Sequence, residues 1–373
     1  MVIGVDVSRT VSSQPTGTEV YAIQLTKALI KLAAERGRQI RLYFNSAPAS
    51  GLFPKSDHLE FVNIPFPRLW THLRLANELR RNPPDVFFTP AHVIPLSYRR
   101  PSVATVHDLG FRYYPEAHTR WQMRYLNWST HHNAQRGSRV ISDSFHTKED
   151  LVRIYQIPAS KIEVIYPGLD PLIRQVTDNA ELEAVQHKYG ITPPYLLYIG
   201  TIQPRKNLSR LIEAFIQSEV GHQLVIAGKA GWRARPILEK AFDYQSTATN
   251  NIVLPGFVAP KDKSALISGA DALLYPSLYE GFGFPILEAN ACGTPVLCAN
   301  TSSLPEIANE AALLVDPLDT RRMSESIQNI VTDLDLRKQL IDHGFSNAGR
   351  FTWEATASRV MSTLENAATI VSS

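Results

Sequence analysis

Ala270-Asp271-Ala272-Leu273-Leu274-Tyr275-Pro276-Ser277-Leu278-Tyr279-Glu280-Gly281-Phe282-Gly283-Phe284-Pro285-Ile286-Leu287-Glu288-Ala289 reads as three pieces in succession. Ala272–Tyr275 is a short apolar run of the kind that forms a strand buried on both faces. A loop carrying Gly281 and Gly283 follows, and Pro285 opens a helix, where its missing amide proton costs nothing. Strand, loop and helix in that order are the unit of an open α/β sheet. Such sheets hold ligands at this junction, because loop amides and the helix N-terminus converge there. Glu280 stands in the loop and Glu288 on the helix, so both carboxylates are expected to face a ligand.

The same alternation extends in both directions. Val2–Val7, Ile40–Phe44, Val86–Phe88, Ser102–His107 and Arg139–Ser142 are apolar runs of strand length in the first half. Tyr195–Gly200, Gln223–Gly228, Asn251–Leu254, Pro295–Cys298 and Ala312–Val315 repeat them in the second. Amphipathic segments lie between, such as Glu19–Arg36 with Val20, Ile23, Ala28, Leu29 and Leu32 at helical spacing. This pattern predicts parallel sheets with crossover helices, an α/β fold. The turn-rich Tyr166-Pro167-Gly168-Leu169-Asp170-Pro171 marks a hinge before a helix over Asp178–Tyr189. A chain of 373 residues exceeds one ordinary core. Two domains are therefore expected, 1–172 and 173–351, with a helical tail over 352–373.

Composition narrows the class. With 44% hydrophobic and 20% charged residues the chain is globular. A net charge of +3 suits an anionic ligand or an acidic membrane surface, and is too small for a nucleic-acid binder. Cys292 and Cys298 give neither a disulfide framework nor a zinc site, which predicts a reduced, cytoplasmic setting. Met1–Val7 reads as a strand and not a signal peptide, and no run approaches the roughly 20 apolar residues that span a bilayer.

Several junctions carry chemistry. Tyr195–Gly200 runs into Thr201-Ile202-Gln203-Pro204-Arg205-Lys206-Asn207, and Leu208–Phe215 follows as a helix. Two adjacent cations beside a helix N-terminus make a diphosphate site. Gly228-Lys229 ends another strand but is not a P-loop, because Gln223 stands where a glycine is required. Gly281–Ile286 lacks the third small residue of the dinucleotide fingerprint. Asp333-Leu334-Asp335 follows no strand and reads as solvated surface, so no metal site is expected.

Gln203–Asn207, the Glu280-(seven residues)-Glu288 spacing and Tyr166–Asp170 together strongly resemble glycosyltransferase family 4 over nearly the whole chain. The resemblance implies the GT-B architecture: two Rossmann-like domains with parallel sheets facing across a cleft, and a C-terminal helix crossing back to the N-terminal domain. It further implies a retaining, metal-independent hexosyltransferase that needs no cofactor besides its donor. The donor would be a nucleotide sugar, UDP-glucose in preference to GDP-mannose, and the acceptor a saccharide, free or lipid-linked. Arg205, Lys206, Glu280 and His107 would be catalytic. Gly17, Gly200, Val258, Gly281, Phe282, Gly283, Phe284 and Glu288 would contact the donor. In that scheme Glu288 holds the ribose hydroxyls, Glu280 holds the sugar, and the two cations neutralise the departing diphosphate. A GT-B epimerase and a non-catalytic nucleotide-sugar binder are the alternatives.

The acceptor side is read from its residues. Trp121, Tyr125 and Trp128 share a helical face within Phe111–Arg136, among Arg112, Arg120, Arg124 and Arg136. Pro67–Arg81 sets Leu69, Leu73, Ala76 and Leu79 against Arg68, Arg74, Arg80 and Arg81. Both segments are expected to be packing helices with solvated basic outer faces. Peripheral association with an anionic membrane is the other reading.

Overall fold

The computed structural model describes residues 1–11, 17–66, 69–244 and 251–369. The chain divides into two compact units, Met1–Gly168 with Phe351–Ser373, and Leu169–Arg350.

The first unit is built on a parallel sheet of seven strands: β1 (Val2–Asp6), β2 (Gln39–Phe44), β3 (Leu59–Asn63), β4 (Val86–Thr89), β5 (Ser102–Val106), β6 (Arg139–Ser142) and β7 (Ile162–Val164). Their order is β3-β2-β1-β4-β5-β6-β7. The central strands are buried on both faces, so helices must cover the sheet from both sides. Val5 of β1 sits opposite Leu42 of β2 on one side and Phe88 of β4 on the other. The chain first steps from β1 outward to β3, then returns to the far side of β1 at β4. Crossovers therefore diverge between β1 and β4, and a crevice opens at the carboxyl ends of the strands there.

The helix Gly17–Glu35 buries Tyr21, Leu25, Leu29 and Ile30 against this sheet. The last helix, Trp353–Thr369, adds Ala357, Val360, Met361 and Leu364 to the same core. This helix thus belongs to the same unit as β1.

The second unit repeats the scheme with β8 (Tyr195–Ile199), β9 (Gln223–Ala227), β10 (Asn251–Gly256), β11 (Ala272–Tyr275), β12 (Val296–Ala299) and β13 (Leu313–Val315). Their order is β10-β9-β8-β11-β12-β13. Its reversal lies between β8 and β11, where Leu197 pairs with Leu273. The loops that leave these two strands carry Arg205 and Lys206, and Glu280.

Differences from the sequence expectation have local causes. β3 was not expected, because as an edge strand it leaves Glu60 and Phe61 exposed and loses the apolar signal. β7 is only three residues long. β8 and β9 stop one residue before their glycines, since Gly200 (φ +151°) and Gly228 (φ +150°) turn the chain out of the strand. A Cβ on Gly228 would lie 1.8 Å from the Gly200 carbonyl oxygen, so the two loops cross only because a hydrogen stands there.

The helix Arg120–Arg136 corrects the expectation of an inward aromatic face. It buries Ser129, Asn133 and Ala134, while Trp121, Tyr125 and Trp128 are 78%, 48% and 37% exposed. The side against the sheet is narrow and polar, because Asn133 bonds backbone groups of the loop after β4. The aromatic rings are therefore turned to solvent. In the Pro67–Arg81 segment Ala76 and Leu79 are buried and Leu69 and Leu73 exposed. Pro67, Arg68 and Thr16 lie outside the described residues.

Candidate active site

In the second unit, β8 is followed by a tight turn over Pro204–Lys206, and Asn207 (φ +61°) redirects the chain into the helix Leu208–Ser218. This turn is stitched to the loop after β11. Leu278 N–H donates to the Arg205 carbonyl at 2.9 Å, and the Arg205 guanidinium donates to the Tyr279 carbonyl and, at 3.1 Å, to Glu280 Oε2. The Lys206 ammonium donates to Glu280 Oε1 and, at 2.9 Å, to the Tyr275 hydroxyl. Tyr275 in turn donates to Glu280 Oε1 at 2.9 Å.

Lys206 and Glu280 are both buried. Burial alone would raise the Glu280 carboxyl, but Lys206 and Arg205 outweigh it and hold its pKa down at about 2, from 4.5. Burial and the same carboxylate push the Tyr275 phenol far above its usual range, so it stays a neutral donor.

The glycine loop is fixed from behind. Glu280 N–H donates to Ser302 Oγ at 2.9 Å, and Ser303 Oγ lies 3.0 and 2.5 Å from the carbonyls of Glu280 and Phe282. Gly283 takes φ +133° directly before the helix Phe284–Ala291, whose first turn contains Pro285. A side chain there would be strained and would press Leu304 at 3.0 Å. The loop amides are thus held in place at a helix N-terminus, where they suit anionic or hydroxyl oxygens.

Glu288 does not join the Arg205–Lys206–Glu280 cluster. Its Oε1 receives the Lys263 ammonium at 2.5 Å, and its buried Oε2 has no hydrogen-bond partner. A buried acceptor left unpaired costs about 1–3 kcal/mol, which a donating ligand hydroxyl would recover. Five positions before Lys263, Val258 is buried, and Phe257 is exposed with the Lys229 ammonium 4.6 Å from its ring centroid.

In the first unit, His107 follows β5 and has both ring nitrogens engaged. Nδ1 lies 2.6 Å from Asp143 Oδ2 and Nε2 donates to the Pro90 carbonyl at 2.8 Å. Tyr21 packs edge-on against the imidazole at 4.8 Å. Burial opposes a charge on His107, yet the Asp143 carboxylate and the Pro90 carbonyl outweigh it and raise its pKa. Asp108 accepts from Gly110 N–H at 2.8 Å, and so organises the turn after His107. Ser144 accepts from Thr147 N–H at 3.1 Å and caps the helix Phe145–Tyr155. Gly17 is the first residue of its helix, with open space where a Cβ would stand.

Sequence reasoning named both ends of the Glu280 cluster but missed Lys263, Tyr275, Ser302 and Ser303, which complete the site. Lys263 carries no motif, and only the fold brings it to Glu288. Asp143 was not singled out, and its pairing with His107 spans 36 positions.

Comparison with known proteins identifies the family. Residues 181–346 match the family described as Glycosyl transferases group 1, and residues 15–171 match Glycosyltransferase Family 4. The chain is 31% identical over 294 residues to O-antigen chain mannosyltransferase B of Escherichia coli, covering 77% of this chain and 76% of that protein. It is 24% identical over 228 residues to the serotype-specific mannosyltransferase WbdA of Escherichia coli, covering 60% of this chain but only 28% of that longer protein. The fold is shared with a sucrose-phosphate synthase from Thermosynechococcus elongatus, at a TM-score of 0.75, 20% identity and complete coverage of both chains. With two parallel-sheet α/β units and family matches in both halves, the chain belongs to the family of group 1 and family 4 glycosyltransferases and is an enzyme of GT-B fold.

Proposed function

We propose that the enzyme transfers a mannosyl group from a nucleoside diphosphate mannose, GDP-mannose, to a saccharide acceptor, with retention at the anomeric carbon. The observation that carries the transferase chemistry is the convergence of Arg205 and Lys206 on Glu280 at the strand reversal of the second sheet. Two cations beside a helix N-terminus suit a diphosphate, whereas a neutral glycoside would have no use for them.

In this reading the bond between the anomeric carbon and the diphosphate oxygen breaks, and its electron pair stays on the diphosphate. Arg205 and Lys206 stabilise the charge that grows there, an electrostatic term realised mainly in the transition state. The acceptor hydroxyl attacks from the same face, and its proton passes to the departing phosphate oxygen. His107 is not the base, because both of its nitrogens are already committed to Asp143 and Pro90. Glu280 holds donor-sugar hydroxyls, and Glu288 accepts the ribose hydroxyls on its unpaired Oε2. Gly200, Val258 and the backbone of Gly281–Phe284 complete the donor contacts. The two cations supply the charge compensation, so the reaction needs no metal.

Mannose replaces the glucose of the sequence expectation on one ground. The relative at 31% identity is named a mannosyltransferase. Thermal denaturation with a panel of nucleotide sugars, followed by product analysis with saccharide acceptors, tests the proposal. GDP-mannose is expected to stabilise the protein most, and nucleotide release to depend on acceptor. Stronger stabilisation by UDP-glucose would contradict the donor, and acceptor-independent release of an epimerised sugar would contradict the reaction.

A further inference from the structure

The helix Arg120–Arg136 presents to solvent a row of rings that the donor chemistry does not use. Trp121, Tyr125 and Trp128 recur at helical spacing, and His132 continues the row one turn on. The rings are ordered against one another. Tyr125 and Trp128 lie 5.9 Å apart, Trp128 and His132 stack at 5.3 Å, and His72 meets Trp128 edge-on at 5.9 Å. The Arg124 guanidinium lies 5.5 Å from the Trp121 ring and orients that most exposed member.

His107 and this helix both bond the loop that follows β4 within the first unit. His107 donates to the Pro90 carbonyl, in the loop that follows β4. Two residues on, His92 accepts from Val93 N–H at 2.8 Å, and its carbonyl receives Asn133 Nδ2 at 2.8 Å. His132 donates to the Ile94 carbonyl at 3.0 Å. The ring row therefore abuts the loop after β4 at its His132 end and runs along the helix to Trp121.

The chemistry of this track fits a chain of sugars. Exposed ring faces take the C–H face of a pyranose, and each imidazole keeps one ring nitrogen for a hydroxyl, His132 to accept and His72 to donate. Burial lowers the pKa of His72, His92 and His132, which keeps these imidazoles neutral. Neutral imidazoles suit hydroxyls better than the anionic headgroups of a membrane. Trp121 and Trp128 are seven residues apart, about 10.5 Å along the helix axis, the span of two linked pyranoses.

We propose that the face formed by Trp121, Tyr125, Trp128 and His132 binds the acceptor glycan beyond its reacting sugar, so that the enzyme prefers an elongated saccharide chain. The inference rests on the transferase reading above. It is tested with the whole protein by titrating tryptophan fluorescence with manno-oligosaccharides from mannose to mannohexaose. Nucleoside diphosphate binding is measured on the same samples by calorimetry. Affinity is expected to rise at least about tenfold with chain length and then level off. Trp121→Ala is expected to remove about five- to tenfold of the gain, the scale of one ring contact, and Trp121→Tyr to restore most of it. Trp121 is solvent-exposed, and its replacement leaves the core intact.

Affinity independent of chain length, or a length dependence untouched by Trp121→Ala, would overturn the proposal while nucleotide binding persisted. Binding to phosphatidylcholine vesicles containing phosphatidylglycerol, with Trp121 quenched and no response to oligosaccharides, would overturn it in favour of a membrane surface. Loss of nucleotide binding in the unaltered protein would instead overturn the transferase reading beneath it.

Discussion

Lys206 and Glu280 form a buried ion pair across 74 positions of sequence, joining the loop after β8 to the loop after β11. Each is too buried to be left alone, and Arg205 and Tyr275 share the same carboxylate. The pair holds the Lys206 ammonium in place at the mouth of the sheet before any ligand arrives. In the proposed mechanism the donor's diphosphate takes over part of that cation's field. The site is therefore preorganised for negative charge, and the electrostatic work of ordering it belongs to folding.

This pairing gives stability a pH dependence. Glu280 is held at about 2 in the folded protein, below the 4.5 of an ordinary glutamate. A depressed carboxylate contributes stability that is full above pH 4.5 and lost as pH falls toward 2. Urea midpoints measured over that range should fall more steeply for the native protein than for Glu280→Gln. Equal slopes would mean that the ion pair does not shift the carboxyl.

Glu288 is expected to act on binding. Glu288→Ala removes the unpaired Oε2 and should weaken nucleoside diphosphate binding about 10- to 100-fold, the value of one hydrogen bond to a charged acceptor. Calorimetry with the free nucleotide reads this directly. An unchanged Kd would show that Glu288 faces no ribose.

Metal removal is expected to have little effect. Arg205 and Lys206 already supply two positive charges beside Glu280, so turnover should survive EDTA within about twofold. Loss of activity on chelation, restored by a divalent ion, would contradict the proposed charge compensation.

Gly228 should resist substitution. The Cβ of Gly228→Ala would overlap the Gly200 carbonyl, at a backbone angle that side chains rarely adopt. A loss of about 1–3 kcal/mol, the scale of backbone strain, should appear as a lowered denaturation midpoint. A neutral outcome would show that the two loops separate readily.

Much of the fold was legible in the sequence, and the reason is physical. Strands buried on both faces must be continuous apolar runs, so Ala272–Tyr275 and Arg139–Ser142 were located to the residue. β3 lies at an edge and β7 is short, and neither leaves such a run. Arg205, Lys206, Glu280 and Glu288 were visible because strand-to-helix loops are local in sequence. Their partners were not, since Lys263 reaches Glu288 from 25 positions away and Ser302 reaches Glu280 from 22. The aromatic face of Arg120–Arg136 misled for a different reason. Helical periodicity locates an apolar face but not its direction, and polar Asn133 claimed the side toward the sheet.

The central claim is that the Lys206 ammonium stabilises the departing diphosphate, and single-turnover kinetics of Lys206→Ala with saturating donor and acceptor test it most directly. The account predicts a fall in the chemical rate of about a hundredfold or more, the magnitude typical of a lost transition-state charge contact, with a smaller change in donor affinity. A folded Lys206→Ala protein that turns over at near the native rate would contradict it.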